Sequence, residues 1–121
     1  MSQRRLLVVD DEPDFIRVVD EVASELGYRV QPCLRSSEFR KLYGEFNPTH
    51  IVLDMVMPDV DGVEIIRWLA KEGTQAKVIV ATGYNPKYTD MAKMFGHAGG
   101  ISPVATLVKP VSIADLRTAL A

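Results

Sequence analysis

Four short apolar runs in this chain each end on a residue that could do chemistry. Asp10 and Asp11 follow the first run, Asp54 the second, Thr82 the third and Lys109 the fourth. Three carboxylates brought close together repel one another, which raises the proton affinity of at least one unless a cation lies between them. Carboxylate oxygens without Cys or His suit Mg²⁺, which also recruits phosphate oxygens. The set is therefore typical of a phosphoryl-transfer site, provided that the fold brings its members together.

The residue types are suited to different chemical roles in such a site. An aspartate can itself be the nucleophile and form an aspartyl-phosphate, and a carboxylate needs no base because it loses no proton when it attacks. The transferred group carries negative charge that hydrogen-bond donors and cations must stabilise. Thr82 and Lys109 are donors of the right type.

The four runs have the length and aliphatic, β-branched content of strands buried on both faces. They cover residues 6–9, 51–53, 78–81 and 105–108, and residues 28–32 form a fifth, peripheral strand. Helical patterns separate the strands, which indicates right-handed crossovers and a parallel sheet. The carboxyl ends of parallel strands lie along one edge, where open α/β sheets bind ligands.

Five helices are predicted between and after these strands. Pro13 is typical of a first helical position and Gly27 of a helix terminator, while Ser36 or Ser37 and later Ser112 are predicted caps. The apolar residues at helical spacing that are predicted to face the core are Phe15, Val19, Val22 and Leu26 in the first helix; Phe39, Leu42, Tyr43 and Phe46 in the second; Val63, Ile66 and Leu69 or Ala70 in the third; Tyr88, Met91 and Phe95 in the fourth, which Asn85 and Pro86 open; and Ile113, Leu116 and Leu120 in the fifth.

The composition indicates one domain over residues 1–121. A net charge of −2 makes direct nucleic-acid binding an unfavoured function, and no apolar stretch approaches the length of a membrane span. Cys33 is the single cysteine, so an internal disulfide and a multi-cysteine metal cage are excluded. A reduced, cytoplasmic setting is expected.

Four motifs, in order, resemble the hallmarks of the response-regulator receiver domain of two-component signalling. They lie at residues 9–13, 54–62, 81–83 and 109–110 and together cover essentially the whole chain. The resemblance implies a flavodoxin-like, doubly wound (βα)5 fold whose five-stranded parallel sheet has the order 2-1-3-4-5. It also implies that Asp54 accepts a phosphoryl group from a histidine kinase or a phosphotransfer protein. Such a domain would catalyse only its own phosphorylation and dephosphorylation.

The resemblance assigns further roles within the site. Mg²⁺ would be held by Asp10, Asp11 and Asp54 and by the backbone carbonyl of Val56. Lys109 would contact the phosphoryl group, and Thr82 would move toward it as a switch. The Lys109–Pro110 peptide bond would be cis, which is a minority form even among X-Pro bonds.

Two departures from the family pattern concern how phosphorylation is read out. Thr106 stands where the family usually has Tyr or Phe, and the interval from Thr82 to Lys109 is several residues longer than is typical. We therefore expect an atypical output surface. Tyr84 and Val56 would flank the phosphoryl site and, being bulky or weakly polar, suggest slow autodephosphorylation.

Several alternatives remain open at this point. Asp10, Asp11 and Glu12 could simply be acidic residues at a helix N-terminus, favoured by its dipole. The domain could also be an interaction domain that works without phosphorylation. A Mg²⁺-dependent phosphohydrolase is a weaker alternative, because no second Asp stands two residues after Asp54. The chain shows no output domain, so the response would pass through an unknown downstream protein or a missing segment, and a homodimer is possible.

Overall fold

A computed structural model describes residues 3–55, 62–83 and 105–121 of the chain. Its five strands are β1 (Arg5–Val9), β2 (Arg29–Cys33), β3 (His50–Leu53), β4 (Lys77–Thr82) and β5 (Ala105–Val108). They pair in parallel in the order β2-β1-β3-β4-β5. The predicted flavodoxin-like, doubly wound α/β fold with strand order 2-1-3-4-5 is confirmed.

Four α-helices accompany the sheet within these residues. They are α1 (Pro13–Glu25), α2 (Phe39–Phe46), α3 (Gly62–Glu72) and a C-terminal helix (Ile113–Leu120). The fourth helix predicted from residue 85 onward falls outside the described residues. None of the helices in the described segments has the length and apolar character needed to cross a membrane.

The sheet separates two apolar layers, as its double winding requires. On β1, Leu7 and Val9 belong to the cluster that packs α2 and α3, whereas Leu6 and Val8 belong to the cluster that packs α1 and the C-terminal helix. All four side chains are fully buried. This period-2 alternation explains why the run reads as uniformly apolar in sequence. Each such side chain contributes about 1.5–3 kcal/mol by its removal from water.

The ends of the helices follow the predictions with one exception. Pro13 begins α1, Gly27 adopts a positive φ of 89° just after it, and Ser112 accepts a hydrogen bond from the Asp115 amide at 3.0 Å. Instead of starting from a cap at Ser36 or Ser37, α2 begins at Phe39, after a 3-10 turn over Ser36–Glu38.

The apolar stripes differ from the predictions in two helices. In the C-terminal helix, Ile113, which the spacing predicts to face the core, is 54% exposed, so this prediction is wrong.

The stripe of α1 differs as well. Ile16, Val19, Val22 and Ala23 are the buried residues of this helix. Phe15 and Leu26, which the spacing predicts to face the core, are only partly buried against it. The helix is therefore rotated slightly from the predicted orientation, which leaves the Phe15 ring at its margin.

At the amino edge of the sheet, Arg4 joins the ends of two helices. Its guanidinium donates to the carbonyls of Leu26, at the end of α1, and of Leu120 and Ala121, at the end of the C-terminal helix, the latter two at 3.3 and 3.2 Å. It also lies over the Tyr28 ring, at 4.2 Å from the centroid. Cations favour helix C-termini because the last carbonyls lack intrahelical partners.

Arg5, the next residue, donates in a similar way to a carbonyl at the end of α2. Its Nε donates to the carbonyl of Asn47 at 2.7 Å, and its backbone amide donates to the Thr49 hydroxyl at 2.8 Å. Asn47 ends α2 in the left-handed conformation, with φ 52°. The two arginines of this edge therefore donate hydrogen bonds to backbone carbonyls at helix ends.

Candidate functional site

At the opposite, carboxyl edge, Asp10 follows directly on β1 and is fully buried. Its amide donates to the Cys33 carbonyl of β2 at 3.1 Å, which extends the sheet by one residue. Its Oδ1 accepts from the Glu12 amide at 2.8 Å, at the start of α1. These backbone bonds hold the carboxylate in one orientation where strand becomes helix.

Asp54 occupies the equivalent position on the neighbouring strand. β1 and β3 are paired so that Val9 lies opposite Leu53, and the Asp54 amide donates to the Val9 carbonyl at 2.9 Å. The residue is 4% exposed. Parallel register alone therefore places Asp10 and Asp54 side by side at the sheet edge.

Gly62 packs directly behind Asp54. A Cβ on Gly62 would lie 2.6 Å from the Cα of Met55 and 3.0 Å from the Asp54 carbonyl oxygen, and its amide donates to the Met55 carbonyl at 3.1 Å. Gly62 begins α3 and is not among the glycines with positive φ. Space, and not backbone conformation, requires glycine here.

Lys109 follows β5 and brings a cation to these carboxylates. Its Nζ donates to Asp10 Oδ2 at 2.6 Å and to Glu12 Oε1 at 3.2 Å, and lies 3.7 Å from Asp54 Oδ2. The side chain is only 13% exposed. The bond to Pro110 is cis, as predicted. The sheet edge thus unites Asp10, Asp54 and Lys109, which are distant in sequence.

Burial and pairing both affect the charges of this group. Burial raises the pKa of the Asp10 carboxyl above its usual value, although the Lys109 ammonium and the Glu12 amide act in the opposite direction. For Lys109, burial acts to lower the pKa, but the hydrogen bond to Asp10 and the charges of Asp10 and Asp54 outweigh it, so the pKa is raised. Lys109 therefore stays cationic, and its charge compensates the buried carboxylates.

The same edge contains a group of oxygens that could hold a metal. One carboxylate oxygen each from Asp10, Asp11 and Glu12 lie within 4.8 Å of one another. Asp11 and Glu12 are exposed, so an ion could reach them from solvent. Hard oxygen ligands without sulfur or nitrogen fit Mg²⁺ or Ca²⁺. The reading of Asp10, Asp11 and Glu12 as helix-start acids alone is too narrow, because they also face this site.

Glu12 is a further site residue, beyond those that the sequence predicts. It precedes α1, as expected of an acidic residue at a helix start, but its carboxylate also contacts Lys109. The signal was present in the sequence, since three consecutive acidic residues at a strand end are more than a helix dipole requires. What the sequence could not show is that a lysine 97 positions away would reach it.

The remaining predicted site residues are described only in part. Thr82 is the last residue of β4, paired with Val108 of β5, so its backbone lies at the same edge; its side chain is outside the described structure. Val56 and Tyr84 also lie outside the described residues. Thr106 is in β5, opposite Val80, and is partly buried.

Comparison with known proteins decides the family. The family model for the response regulator receiver domain matches residues 6–121. The chain belongs to this family. Receiver domains are the signalling domains of two-component response regulators, in agreement with the resemblance that the four motifs carry.

Relatives with described functions are similar at moderate identity. Sporulation initiation phosphotransferase F of Bacillus subtilis is 26% identical over 120 residues, covering 99% of this chain and 93% of that protein. Transcriptional regulatory protein TrcR of Mycobacterium tuberculosis is 29% identical over 115 residues, covering 95% of this chain. The chain spans 43% of TrcR, and 62% of the photosynthetic regulator RegA of Rhodobacter capsulatus.

Solved structures share the fold along nearly the whole chain. A CheY-like receiver domain from Methanospirillum hungatei is 25% identical with a TM-score of 0.80, covering 95% of this chain and 88% of that one. A response regulator from Burkholderia pseudomallei is 24% identical with a TM-score of 0.81, covering 98% of this chain and 66% of that one. The receiver fold is thus supported by sequence and by structure.

Proposed function

We propose that this domain is a phosphoacceptor in a two-component phosphorelay, in which Asp54 receives a phosphoryl group from a histidine kinase or a phosphotransfer protein. The observation that carries this proposal is the position of the Lys109 ammonium, 2.6 Å from Asp10 and 3.7 Å from Asp54 at one sheet edge. A cation beside a buried carboxylate is the arrangement that phosphoryl transfer to that carboxylate needs.

In the proposed reaction, a carboxylate oxygen of Asp54 attacks the phosphorus of a phosphohistidine. The new P–O bond forms as the P–N bond breaks, and the bonding pair returns to the imidazole, which takes a proton from water. Asp54 needs no general base, because it is already deprotonated when it attacks. Gly62, packed against the Asp54–Met55 backbone, helps to hold the nucleophile in place.

The Lys109 ammonium would change its main partner during this reaction. Before transfer its ammonium neutralises Asp10, and after transfer a phosphoryl oxygen on Asp54 would be within its reach. Thr82 would donate a hydrogen bond to another phosphoryl oxygen and act as the switch that reports phosphorylation. The side chains that follow or end β4 and β5 would thereby link the chemistry to these two strands.

Mg²⁺ is the proposed cofactor. Asp10, Asp11, Asp54 and the Val56 carbonyl would hold it, and the oxygens of Asp10, Asp11 and Glu12 fit a hard cation. When bound, it would neutralise charge that develops on the transferred phosphoryl oxygens. A structurally similar response regulator from Burkholderia pseudomallei was crystallised with a phosphorylated aspartic acid and a calcium ion.

The biological setting is proposed on the same basis. The domain would act in the cytoplasm as a signalling module and not as an enzyme on external substrates, with a downstream protein or a further domain as its target. Sporulation phosphotransferase F, of which this chain covers 93%, shows that a relative of similar length carries a phosphotransferase name. A phosphotransfer role for this chain agrees with that name, and a homodimer is proposed as well.

The test is incubation with Mg²⁺ and acetyl phosphate, followed by measurement of intact mass. A single phosphoryl adduct is expected, lost at alkaline pH, where acyl phosphates hydrolyse. Asp54→Asn should take up nothing, while Asp14→Asn, on an exposed face of α1, should behave as the wild type. An unmodified wild type, with acetyl phosphate and with a phosphorylated histidine kinase, would contradict the proposal and favour a phosphorylation-independent interaction domain.

A further inference from the structure

Phe15 contacts the proposed site although the sequence assigns it to the core. Ile16, Val19, Val22 and Ala23 supply the buried side of α1, and Phe15 is left partly exposed. The Lys109 Nζ lies over its ring, at 4.5 Å from the centroid. The aromatic ring is therefore turned toward the cation of the site.

This contact adds a fourth side to the surroundings of the Lys109 ammonium. Three carboxylates, those of Asp10, Glu12 and Asp54, lie within 2.6 to 3.7 Å of Nζ. The face of an aromatic ring attracts a cation through its quadrupole, without net charge and without being a metal ligand. Phe15 can therefore hold the ammonium without competing for Mg²⁺ and without repelling a phosphoryl group.

The position of Phe15 on α1 explains how it reaches Lys109. It stands three residues after Glu12, and residues at that spacing lie on one side of a helix. Glu12, which directly precedes α1, and Phe15, in its first turn, thus approach the same ammonium. A lysine side chain is a flexible stem with a point charge at its end, so its direction depends on such neighbours.

We propose that Phe15 is a positioning residue for phosphoryl uptake: its ring keeps the Lys109 ammonium at the shared edge of Asp10 and Asp54. The contact matters most when Asp10 is engaged by a metal ion, because the ammonium then loses its closest carboxylate partner. This inference rests on the proposed function of Asp54. A leucine would supply similar packing against the core but would not attract the cation as the face of the ring does.

A first experiment tests the contact in the unphosphorylated, Mg²⁺-free protein. The ε-methylene protons of Lys109, assigned by their loss in Lys109→Arg, should show an upfield ring-current shift in the NMR spectrum. The shift should disappear in Phe15→Leu and in Phe15→Met and persist in Phe15→Tyr. A Lys109 signal that is the same in wild type and in both ring-less variants would overturn the proposal.

A second experiment measures the initial rate of phosphoryl uptake from acetyl phosphate at saturating Mg²⁺. Phe15→Leu and Phe15→Met should react roughly two- to fivefold more slowly, the range that a partly exposed cation–π contact supplies. Phe15→Tyr should restore the rate, and the apparent affinity for Mg²⁺ should not change. Wild-type rates in both ring-less variants would overturn the positioning role.

Phe46→Leu is the matched control. It removes the Phe46 ring, whose centroid lies 5.7 Å from the guanidinium carbon of Arg29, and so removes another cation–π contact. Phe46 is the last residue of α2, a helix whose end lies at the amino edge of the sheet. Its rate of phosphoryl uptake should equal that of the wild type. If Phe46→Leu slowed the reaction as much as Phe15→Leu, the effect would be general loss of packing, and the proposal would be wrong.

The two proposals fail in different ways. A wild type that takes up no phosphoryl group removes the proposed function and, with it, the positioning role. If Phe15→Leu is phosphorylated at Asp54 as fast as the wild type, only the positioning role of Phe15 is contradicted.

Discussion

The two edges of the sheet use charged side chains in different ways. At the amino edge, Arg4 and Arg5 donate to backbone carbonyls at helix ends. At the carboxyl edge, Lys109 donates to the side chains of Asp10 and Glu12. A side chain bound to backbone is part of the fold, whereas side chains bound to one another can exchange partners when a ligand arrives. The difference indicates which edge maintains the structure and which edge reacts.

The largest effect is expected when Lys109 is changed. Lys109→Met removes the cation beside Asp54 and should slow phosphoryl uptake by about 100-fold, the usual effect of losing one charge-stabilising donor. The rate with acetyl phosphate and Mg²⁺, followed by intact mass, measures it. Lys77→Met, at the exposed start of β4 on the opposite edge, should react as the wild type does. Equal losses in the two variants would mean that the edges do not differ in function.

Arg4→Leu should lower the stability of the protein without slowing phosphoryl uptake. It removes hydrogen bonds to the ends of α1 and the C-terminal helix, so the free energy of unfolding should fall by about 2 kcal/mol, as for bonds that involve a charged donor. Urea denaturation measures the change, and the rate of phosphoryl uptake should be unaltered. Arg17→Leu, whose partner Asp14 is exposed, should change stability by less than about 0.5 kcal/mol. A reaction slowed as strongly as in Lys109→Met would erase the distinction between the edges.

Gly62→Ala tests whether the reactive edge depends on the close packing of α3 against the Asp54–Met55 backbone. The new Cβ would lie 2.6 Å from the Met55 Cα, so the start of α3 or the Asp54–Met55 backbone must shift. We expect a loss of about 1–2 kcal/mol in the free energy of unfolding, together with slower phosphoryl uptake. Gly44→Ala, in α2 with open space around it, should instead stabilise the protein by up to about 1 kcal/mol. Unchanged stability in Gly62→Ala would show that the close approach is not a real constraint.

The smallest effect concerns pH and Asp10. Because its folded pKa is raised above 3.8, the folded state binds this proton more readily than the unfolded state does. Its contribution to stability is therefore greatest below 3.8 and is lost as the pH rises through the folded pKa. Relative to Asp10→Asn, the wild type should become less stable over that interval, as measured by urea denaturation at a series of pH values. If the stability of the wild type relative to Asp10→Asn stayed constant or rose with pH, the burial of Asp10 would be contradicted; Asp14→Asn serves as the exposed control.

Much of this molecule follows from sequence, and the failures have a common cause. The strands were predicted because fully buried parallel strands are continuous apolar runs, and the positions of Asp10, Asp54 and Lys109 follow from where those runs end. Phe15 was assigned to the core because helical spacing defines a stripe only to within about one residue, so it could not choose between Phe15 and Ile16. The steric role of Gly62 was missed because the approach of Met55 depends on how α3 docks.

The residues that reach the carboxyl edge of the sheet can be predicted from the order of amino acids, because a parallel strand carries the residue after its last apolar position to that edge. Which of these residues touch depends on how the strands and helices pack. The Lys109 ammonium, which follows β5, reaches Asp10, Glu12 and Phe15 beyond the end of β1, although β3 and β4 lie between these two strands. Those contacts depend on strand order, helix rotation and the direction of a flexible side chain, and none of these is a local property of the residues involved.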